Sequence, residues 1–283
     1  MKDTVTDTAK PPRSARSVVI QPNRGGVEWR ELWRFRDLFL VLAERDIRLR
    51  YRQTALGIVW VILQPLAASL IFAAIFGLFA KLPSDGAPYL LFVFAAMLPW
   101  NLFSGGVQRA GNSLIANAGL VTKIYLPREI IPIASVSAVV LDFVVAGVVM
   151  LGLMLLYGAP LTWAVLVALP LAVLTLVVTV GVSLFFSALN VYYRDFSYAL
   201  PFILQIWMYG SPVVYSSSLV PDRWQLLYGL NPMVGVIGGF RWAFLGGSPP
   251  TIALAESLIV SLLMLLVGAS IFKRVERSFA DVI

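Results

Sequence analysis

The stretch from Phe143 to Tyr193 contains no Asp, Glu, Lys or Arg residue, and this charge-free run constrains the fold more than any other feature. A helix that crosses a lipid bilayer needs roughly 20 apolar residues, so the run is too long for one span. The sequence YGAPLTW at 157–163 contains a Gly-Pro break that would separate two spans. Only 13% of the residues are charged, whereas soluble domains carry about 25% charged residues. The sequence therefore predicts an all-α polytopic membrane protein.

Charge-free runs and the breaks between them predict six membrane-spanning helices. The spans are expected at about 56–80, 88–108, 130–157, 162–188, 197–216 and 252–272. Between the last two lies an apolar segment at 219–247, which Pro221, Pro232 and several glycines interrupt. Irregular backbone at membrane depth is tolerated only against protein or a watery cavity. This segment is therefore predicted to form a re-entrant or interfacial helical hairpin beside a water-filled pathway.

The distribution of positive charge predicts which way the protein faces. An even number of spans places both termini on one side, and that side receives 19 of the 22 Lys and Arg residues. Only Lys81, Arg223 and Arg241 fall on the other side. The positive-inside rule then predicts that both termini are cytoplasmic. Because the charges collect beside apolar spans and not on one folded basic face, nucleic acid is not an expected partner.

An amphipathic helix is predicted before the first span. Four apolar residues fall on one helical face at 3-4-3 spacing: Leu32, Phe35, Phe39 and Leu42. Such a helix, with arginines off that face, is typical of the membrane interface, and on its own it would serve equally well as an anchor to anionic lipid. Its end at 43–52 carries four arginines. Residues 1–27 are predicted to be a mobile cytoplasmic tail, and residues 276–283 a C-terminal tail.

The loop between the second and third predicted spans, at 109–132, is long for such a protein. Its apolar residues predict a short helix that lies flat and ends at Pro127: Leu114, Ile115, Leu120, Val121 and Ile124. The opposite side would display Asn117, Lys123, Tyr125 and Arg128 to the cytoplasm. Two interpretations remain open, a docking element for a partner protein and a simple connector.

Several kinds of chemistry lack the residues that they need. The sequence contains no Cys and no His, which removes thiolate metal sites, disulfides and the usual proton shuttle. It contains no Gly-x4-Gly-Lys-Ser/Thr phosphate loop for ATP hydrolysis. Two acids lie within the predicted spans, Asp142 and Glu256. They could form a relay in a proton- or sodium-coupled carrier. Alternatively, Asp142 accepts hydrogen bonds across a helix interface and Glu256 reaches the outer surface.

Aromatic residues are frequent at the ends of the predicted spans: Trp60, Trp100, Phe103, Tyr192, Tyr193, Trp207, Tyr209, Tyr215, Trp224 and Trp242. Most of them fit the aromatic belt of a membrane protein. Some could instead line a conduit, because aromatic faces stack on sugar rings without demanding one register. The candidates for such a lining are Trp60, Trp100, Phe103, Tyr209 and Tyr215.

Five segments together resemble the permease subunit of type-2 ABC exporters. They are RDIRLRYRQTALGIVWVILQPL (45–66), MLPWNLFSGG (97–106), NSLIANAGLVTKIYLPREIIPIASV (112–136), SALNVYYRDFSYALPFILQIWMYGSPVVY (187–215) and LNPMVGVIGGFRWAFLG (230–246). The resemblance is to the polysaccharide-export branch that moves lipid-linked O antigen, and more distantly to capsule and teichoic acid permeases. It covers roughly residues 20–275.

The resemblance implies a half-transporter in the bacterial inner membrane and not an enzyme. Two copies would form a channel, and two copies of a separate ATPase subunit would supply ATP and Mg, so that this chain itself binds no cofactor. A coupling helix is implied at about 116–128, where seven residues would dock the ATPase: Asn117, Leu120, Val121, Lys123, Tyr125, Pro127 and Arg128. The segment at 219–247 would form the outer end of the channel.

The resemblance also implies a gate helix at about 28–55, beside membrane lipid at the cytosolic entrance. An undecaprenyl-pyrophosphate head group would arrive there, near Arg45, Arg48, Arg50, Tyr51, Arg52, Thr54 and Gly57. Whether the arginines meet lipid phosphate, the substrate's pyrophosphate or the ATPase stays open. Two alternatives remain: an ABC-2 permease for teichoic acid, capsule, a drug or a lipid, and a secondary carrier that uses Asp142 and Glu256.

Overall fold

The computed structural model describes residues 33–52, 57–123 and 126–282, and all regular secondary structure within these ranges is helical. The α-helices are α1 Arg36–Arg52, α2 Ile58–Phe72, α3 Tyr89–Ala116, α4 Ala118–Lys123, α5 Ile130–Leu156, α6 Ala168–Tyr192, α7 Phe196–Tyr209, α8 Asp222–Gly229, α9 Pro232–Leu245, α10 Thr251–Val275 and α11 Phe279–Val282. Helix α2 continues as a π-helix, Ala73–Phe79, and short 3-10 helices cover Trp163–Val167, Ser217–Leu219 and Glu276–Ser278.

Five helical segments of the described residues are long and apolar enough to cross a membrane. They are Val59–Phe79, Tyr89–Ala116, Ile130–Leu156, Trp163–Tyr192 and Thr251–Val275. Each coincides with one of the six spans predicted from the sequence. The prediction of an all-helical polytopic membrane protein is therefore confirmed.

The remaining predicted span, at 197–216, is not confirmed as a crossing helix. Its residues form α7, which has only 14 residues, and the backbone turns at 210–214. A span of the full bilayer needs roughly 20 residues, so α7 alone is too short. The following segment, predicted as a helical hairpin, forms the exposed helix α8 and the buried helix α9.

Helix α3 lies at the centre of the bundle. Of its most apolar stretch, 78% is buried, and every residue from Leu91 to Trp100 is buried. Helices α5, α6 and α9 pack around it. In the first span only 11% of the most apolar stretch is buried, and in α10 only 17%. These two helices therefore present apolar surface outwards.

Helices α6 and α10 cross at two glycines. A Cβ atom on Gly268 would lie 2.0 Å from the carbonyl oxygen of Gly181, and one on Gly181 would lie 2.6 Å from the backbone nitrogen of Leu265. Such close approach of backbones is how helices pack in lipid, where burial of apolar surface drives association weakly. These positions accept glycine alone in the present packing.

The bundle has two different ends. A second group of buried residues, here called the terminal cluster, lies at the end that carries α1, α4 and α11: Leu42, Leu114, Val121, Leu126, Ile130, Ile131, Ala134, Leu184, Ala188, Val191, Phe272 and Phe279. This end is called the α1 end. The opposite end carries the turn at 210–216, α8 and the start of α10, and is called the α8 end.

Candidate functional site

The last turn of α1 is attached to the middle of α5 through one carboxylate. The Tyr51 hydroxyl donates a hydrogen bond of 2.5 Å to Oδ1 of Asp142, and Nη2 of Arg50 lies 2.5 Å from Oδ2. The side chains of Arg50 and Asp142 are only 25% and 15% exposed. Burial and the hydrogen bond to Asp142 raise the pKa of Tyr51 to about 12, so the phenol stays a neutral donor. The sequence interpretation in which Asp142 accepts hydrogen bonds across a helix interface is confirmed.

A second carboxylate connects the same two helices nearer the start of α1. Oδ1 of Asp46 lies 2.9 Å from Nη2 of Arg45, and Oδ2 accepts a hydrogen bond of 3.1 Å from the Ser135 hydroxyl on α5. Arg48 instead pairs with Glu44 on the exposed side of α1. Ion pairs of exposed side chains contribute little to stability. The contacts with Asp142 and Asp46 therefore hold α1 on the bundle.

The predicted entrance residues divide into three groups. Arg45, Arg48 and Arg50 each have a carboxylate partner within the protein. Arg52 ends α1, and Thr54 lies outside the described residues. Gly57 precedes α2 with a φ of 31°, a backbone conformation that side-chain-bearing residues rarely adopt. The sequence offered no basic partner for Asp142 within the spans, because that partner comes from α1.

The region at 116–128, predicted as a coupling helix, contains the short helix α4. Asn117 ends α3, and its side-chain amide donates a hydrogen bond of 2.8 Å to the Ser113 carbonyl. Val121 is buried in the terminal cluster and Leu120 packs against it, whereas Lys123 is exposed. Helix α4 is therefore amphipathic, as predicted, and its exposed side carries a positive charge. Tyr125 lies outside the described residues.

Arg128 is not displayed in the way that the sequence predicted. Its Nη1 donates to the backbone carbonyl of Glu276, beyond the end of α10, and the side chain is half-buried. Pro127 beside it is buried. The segment that follows α10 folds back here, and its Glu276 carbonyl accepts the hydrogen bond from Arg128. This contact was invisible in the sequence because the two segments are far apart in residue number.

Two carboxylates share one ammonium group next to Arg128. Nζ of Lys273 lies 2.8 Å from Oε1 of Glu129 and 3.3 Å from Oε1 of Glu276. Glu129 is 3% exposed, and the second carboxylate oxygen of each glutamate is buried without a hydrogen-bond partner. Burial and the neighbouring Glu129 carboxylate raise the pKa of Glu276 above its ordinary value. No pattern in the sequence indicates this cluster, because its members come from separate helix ends.

The five aromatic residues proposed as a channel lining fall into two sets. Trp60 and Tyr209 are exposed, and Tyr215 is half-buried with its hydroxyl 2.9 Å from that of Tyr228. Trp100 and Phe103, by contrast, are 4% and 0% exposed. Their rings lie 5.5 Å apart, packed together inside the bundle. Both belong to the central helix α3, and this explains why they are buried and do not lie where a channel lining or an aromatic belt is expected.

A polar network holds the turn that ends α7. Arg241 on α9 donates to the carbonyl oxygens of Val213, Tyr215 and Phe92 at 2.9, 3.1 and 3.3 Å. The Tyr89 hydroxyl donates to the Val214 carbonyl at 2.5 Å. A carbonyl group without a hydrogen-bond donor costs free energy inside a membrane protein. Arg241 and Tyr89 together donate to three consecutive carbonyl groups, those of Val213, Val214 and Tyr215. The network explains why α7 stops short of a full span.

Asn231 extends this network from the other side of the turn. Its amide nitrogen donates to the Gly210 carbonyl at 3.1 Å, and its oxygen accepts from Nε1 of Trp207 at 2.9 Å. From the sequence, Arg241 was expected only as one of three positive charges on the outer side. No local pattern indicates its role, because its partners come from α3 and from the turn.

Glu256 lies near the start of α10 and lines a cavity of about 970 Å³ at the α8 end, together with Asp85, Arg241 and Trp242. Its carboxylate lies directly against Gly229. Among the described residues, no group of three or more His, Cys, Asp or Glu side chains could hold a metal ion. Glu256 lies at the α8 end, whereas Asp142 lies at the middle of α5 and is bound by Arg50 and Tyr51, so the two acids do not form one relay.

Among the described residues, five apolar helices, of which α3 is buried at the centre, together with the ion-paired helix α1 and the short helix α4 at one end, define a polytopic membrane protein. The chain belongs to the ABC-2 type transporter family, whose match covers residues 37–245.

Its relatives include O-antigen export permeases and a polysialic acid transport protein. The O-antigen export system permease protein RfbA of Myxococcus xanthus is 30% identical over 258 residues, which cover 89% of this chain and 97% of the relative. RfbA of Klebsiella pneumoniae is 27% identical over 248 residues, covering 87% and 95%. The polysialic acid transport protein KpsM of Escherichia coli is 23% identical over 247 residues, covering 83% and 92%. The resemblance inferred from the sequence segments is confirmed.

Proposed function

We propose that this protein is the membrane permease of an ATP-driven exporter that moves undecaprenyl-pyrophosphate-linked polysaccharide of the O-antigen type from the cytoplasm across the bacterial inner membrane. The observation that carries the proposal is the near full-length similarity to two O-antigen export permeases. Two copies of the protein form the channel, and a separate ATPase subunit drives it.

The exposed side of α4 is proposed as the docking site of that ATPase. Helix α4 carries Lys123 on its exposed side, and its buried side packs into the terminal cluster. A movement of the docked ATPase would therefore reach the bundle through packed side chains. In this proposal the α1 end faces the cytoplasm, in agreement with the positive-inside distribution of charge.

Helix α1 is proposed as the gate at the cytosolic entrance. In the described conformation Asp142 neutralises Arg50 and fixes α1 to α5. A pyrophosphate group offers the same bidentate acceptor geometry with more charge, so it could replace the carboxylate as the partner of Arg50. This exchange would release α1 when substrate arrives.

The sugar polymer would then pass along exposed aromatic side chains. The exposed Trp60 and Tyr209 and the half-buried Tyr215 are the remaining candidates, since Trp100 and Phe103 are buried in the bundle. The outer end of the path is assigned to α8 and α9, beside the turn that Arg241 holds.

The alternative of a secondary carrier loses its support. Asp142 is engaged by Arg50 and Tyr51, and Glu256 lies apart from it at the α8 end. Another substrate of an ABC-2 permease, such as capsule polymer, is the alternative that the similarity to KpsM keeps open.

The experiment uses the protein reconstituted in proteoliposomes with its ATPase and a lipid-linked polysaccharide. We expect ATP-dependent movement of the polymer across the bilayer, and none with an ATPase variant that cannot hydrolyse ATP. Transport of the polymer without ATP, or ATP-dependent transport of other substrates only, would contradict the proposal.

Docking is tested separately with Lys123→Glu and a matched control, Arg194→Glu. Arg194 is also exposed and lies in the turn between α6 and α7. Lys123→Glu should reduce the amount of ATPase that co-purifies with the permease, and Arg194→Glu should not. Equal amounts for both variants would refute the docking assignment.

A further inference from the structure

The segment that follows α10 forms a strap across the docking region. This C-terminal strap comprises residues 276–279 and acts together with Lys273 in the last turn of α10. Lys273 reaches Glu129 at 2.8 Å, and the Glu276 carbonyl accepts a hydrogen bond from Arg128. Glu129 and Arg128 lie between α4 and α5, so the strap connects the end of the last membrane helix to the proposed docking region.

Apolar contacts seat the end of the strap in the terminal cluster. Phe279 is fully buried, and its ring lies 5.3 Å from that of Phe272 and 6.3 Å from that of Tyr192. The terminal cluster also contains Val121 of α4. The strap and α4 therefore pack into the same group of side chains from two sides.

Helix α4 needs such support because it is very short. It has 6 residues, and isolated helices shorter than about 12–15 residues are marginal in water. Its orientation is set by its neighbours and not by its own hydrogen bonds. Breaking a buried ion pair is strongly unfavourable, since it leaves an uncompensated charge. The Glu129–Lys273 contact can therefore transmit a displacement of the docking region to α10.

We propose that Lys273 and Glu276 are positioning residues, which hold Glu129 and Arg128 so that movement of α4 is transmitted to α10. This inference rests on the proposed function, because it takes α4 as the docking site of an ATPase. The strap then couples ATP hydrolysis to the last membrane helix, and it acts through Glu129 and not by touching the substrate.

The test is an exchange of charges. Glu129→Lys and Lys273→Glu are made singly and together, each in complex with the ATPase in proteoliposomes. The double variant keeps one ammonium group between two carboxylates, as in the natural protein. Polymer exported and ATP hydrolysed are measured together, and their ratio is the readout. A residue with a purely structural role would change the amount of folded complex and leave this ratio unaltered.

Each single variant should lower the export per ATP about tenfold, and the double variant should restore most of it. Arg274→Glu is the matched control, because it places the same charge change on the neighbouring exposed residue of α10. It should leave the ratio at the natural value. Normal ratios in both single variants, or a double variant as impaired as the singles, would overturn the proposal.

A second measurement needs no transport. The sequence has no cysteine, so Val121→Cys gives a unique thiol at a buried position of α4. It should react slowly with a maleimide in the natural background, faster with Lys273→Glu, and slowly again in the charge-exchanged double variant. Equal rates in all three would overturn the positioning role, even where the single variants fail to assemble with the ATPase. Loss of export by the natural protein, with these labelling rates as expected, would contradict the proposed function alone.

Discussion

Arg50 and Arg241 lie at opposite ends of the bundle and are bound in opposite ways. Arg50 lies on the surface helix α1 and pairs with the carboxylate of Asp142 on α5. Arg241 donates to three backbone carbonyl groups and lies 3.4 Å from the centre of the Phe92 ring. The first arginine has a partner that another anion can replace. The second has partners that cannot leave without unfolding the turn.

This difference assigns different mechanical roles to the two ends. An ion pair between two helices can be exchanged for a phosphate group, so the α1 end is suited to open and close. Main-chain carbonyls have no alternative donors in an apolar surrounding, so the α8 end is suited to stay in place. The proposed function requires both a movable entrance and a fixed frame.

The largest effect is expected for Arg241→Met. The carbonyl groups of Val213 and Tyr215 lose their donor and the contact with Phe92 is lost as well, so we expect a destabilisation of about 4 kcal/mol, measured by thermal unfolding of the purified protein. Arg241→Lys should recover little, since one ammonium group cannot reach three carbonyls. Arg223→Met on exposed α8 is the control and should unfold like the natural protein. A small effect of Arg241→Met would show that the hydrogen bonds of Arg241 do not hold the α8 end in place.

A smaller effect is expected for Asp142→Asn. It removes the negative charge that pairs with Arg50 and one of the two acceptor oxygens shared by Arg50 and Tyr51, and partial exposure limits the loss to about 2 kcal/mol. The double variant Arg50→Gln/Asp142→Asn should recover part of this stability, because no unpaired charge then remains. The same thermal unfolding assay measures both. If Asp142→Asn lowered the stability more than Arg241→Met, the α1 end and not the α8 end would be the more strongly held.

The contact nearer the start of α1 should contribute less still. Ser135→Ala removes one hydrogen bond to Asp46, for which we expect a loss of about 1 kcal/mol. Ser137→Ala is the control, since the hydroxyl of Ser137 donates only to a carbonyl of its own helix. If the control destabilised the protein as much as Ser135→Ala, Asp46 would not be a connection between the helices.

The smallest effect is expected for Arg48→Gln. Arg48 and Glu44 are both exposed, and such pairs contribute between about 0 and 1 kcal/mol. The unfolding temperature should hardly change, and added salt should not alter the comparison with the natural protein. A large loss would show that exposed and buried arginines of α1 are equally important for its attachment.

The sequence was informative wherever the determining pattern is local. Hydropathy located five spans, and the apolar spacing around Leu120 and Val121 predicted the amphipathic helix α4. It failed where partners come from distant segments. The end of α7 depends on Arg241, Tyr89 and Asn231, which belong to other parts of the bundle. A hydropathy pattern contains no information about such donors.

The same limitation applies to the candidate site. Arg50 and Asp142 were both noted as unusual residues, but their pairing requires the path of α1 across α5. Trp100 and Phe103 look like belt or channel residues in sequence, and they are buried because α3 lies at the centre. Burial of a whole helix depends on how the others surround it, and composition alone does not determine that.

The most direct test compares motion at the two ends in one complex. Because the sequence lacks cysteine, spin labels can be placed at Leu49→Cys and Val144→Cys, on α1 and α5, or at Ser217→Cys and Ser248→Cys at the α8 end. All four positions are exposed. Distances are measured by pulsed electron paramagnetic resonance with ATPase and substrate, before and after ATP is added. The Leu49–Val144 distance should change on addition of ATP, and the Ser217–Ser248 distance should stay the same. An unchanged first distance during export, or an equal change in both, would contradict the proposed roles of the two ends.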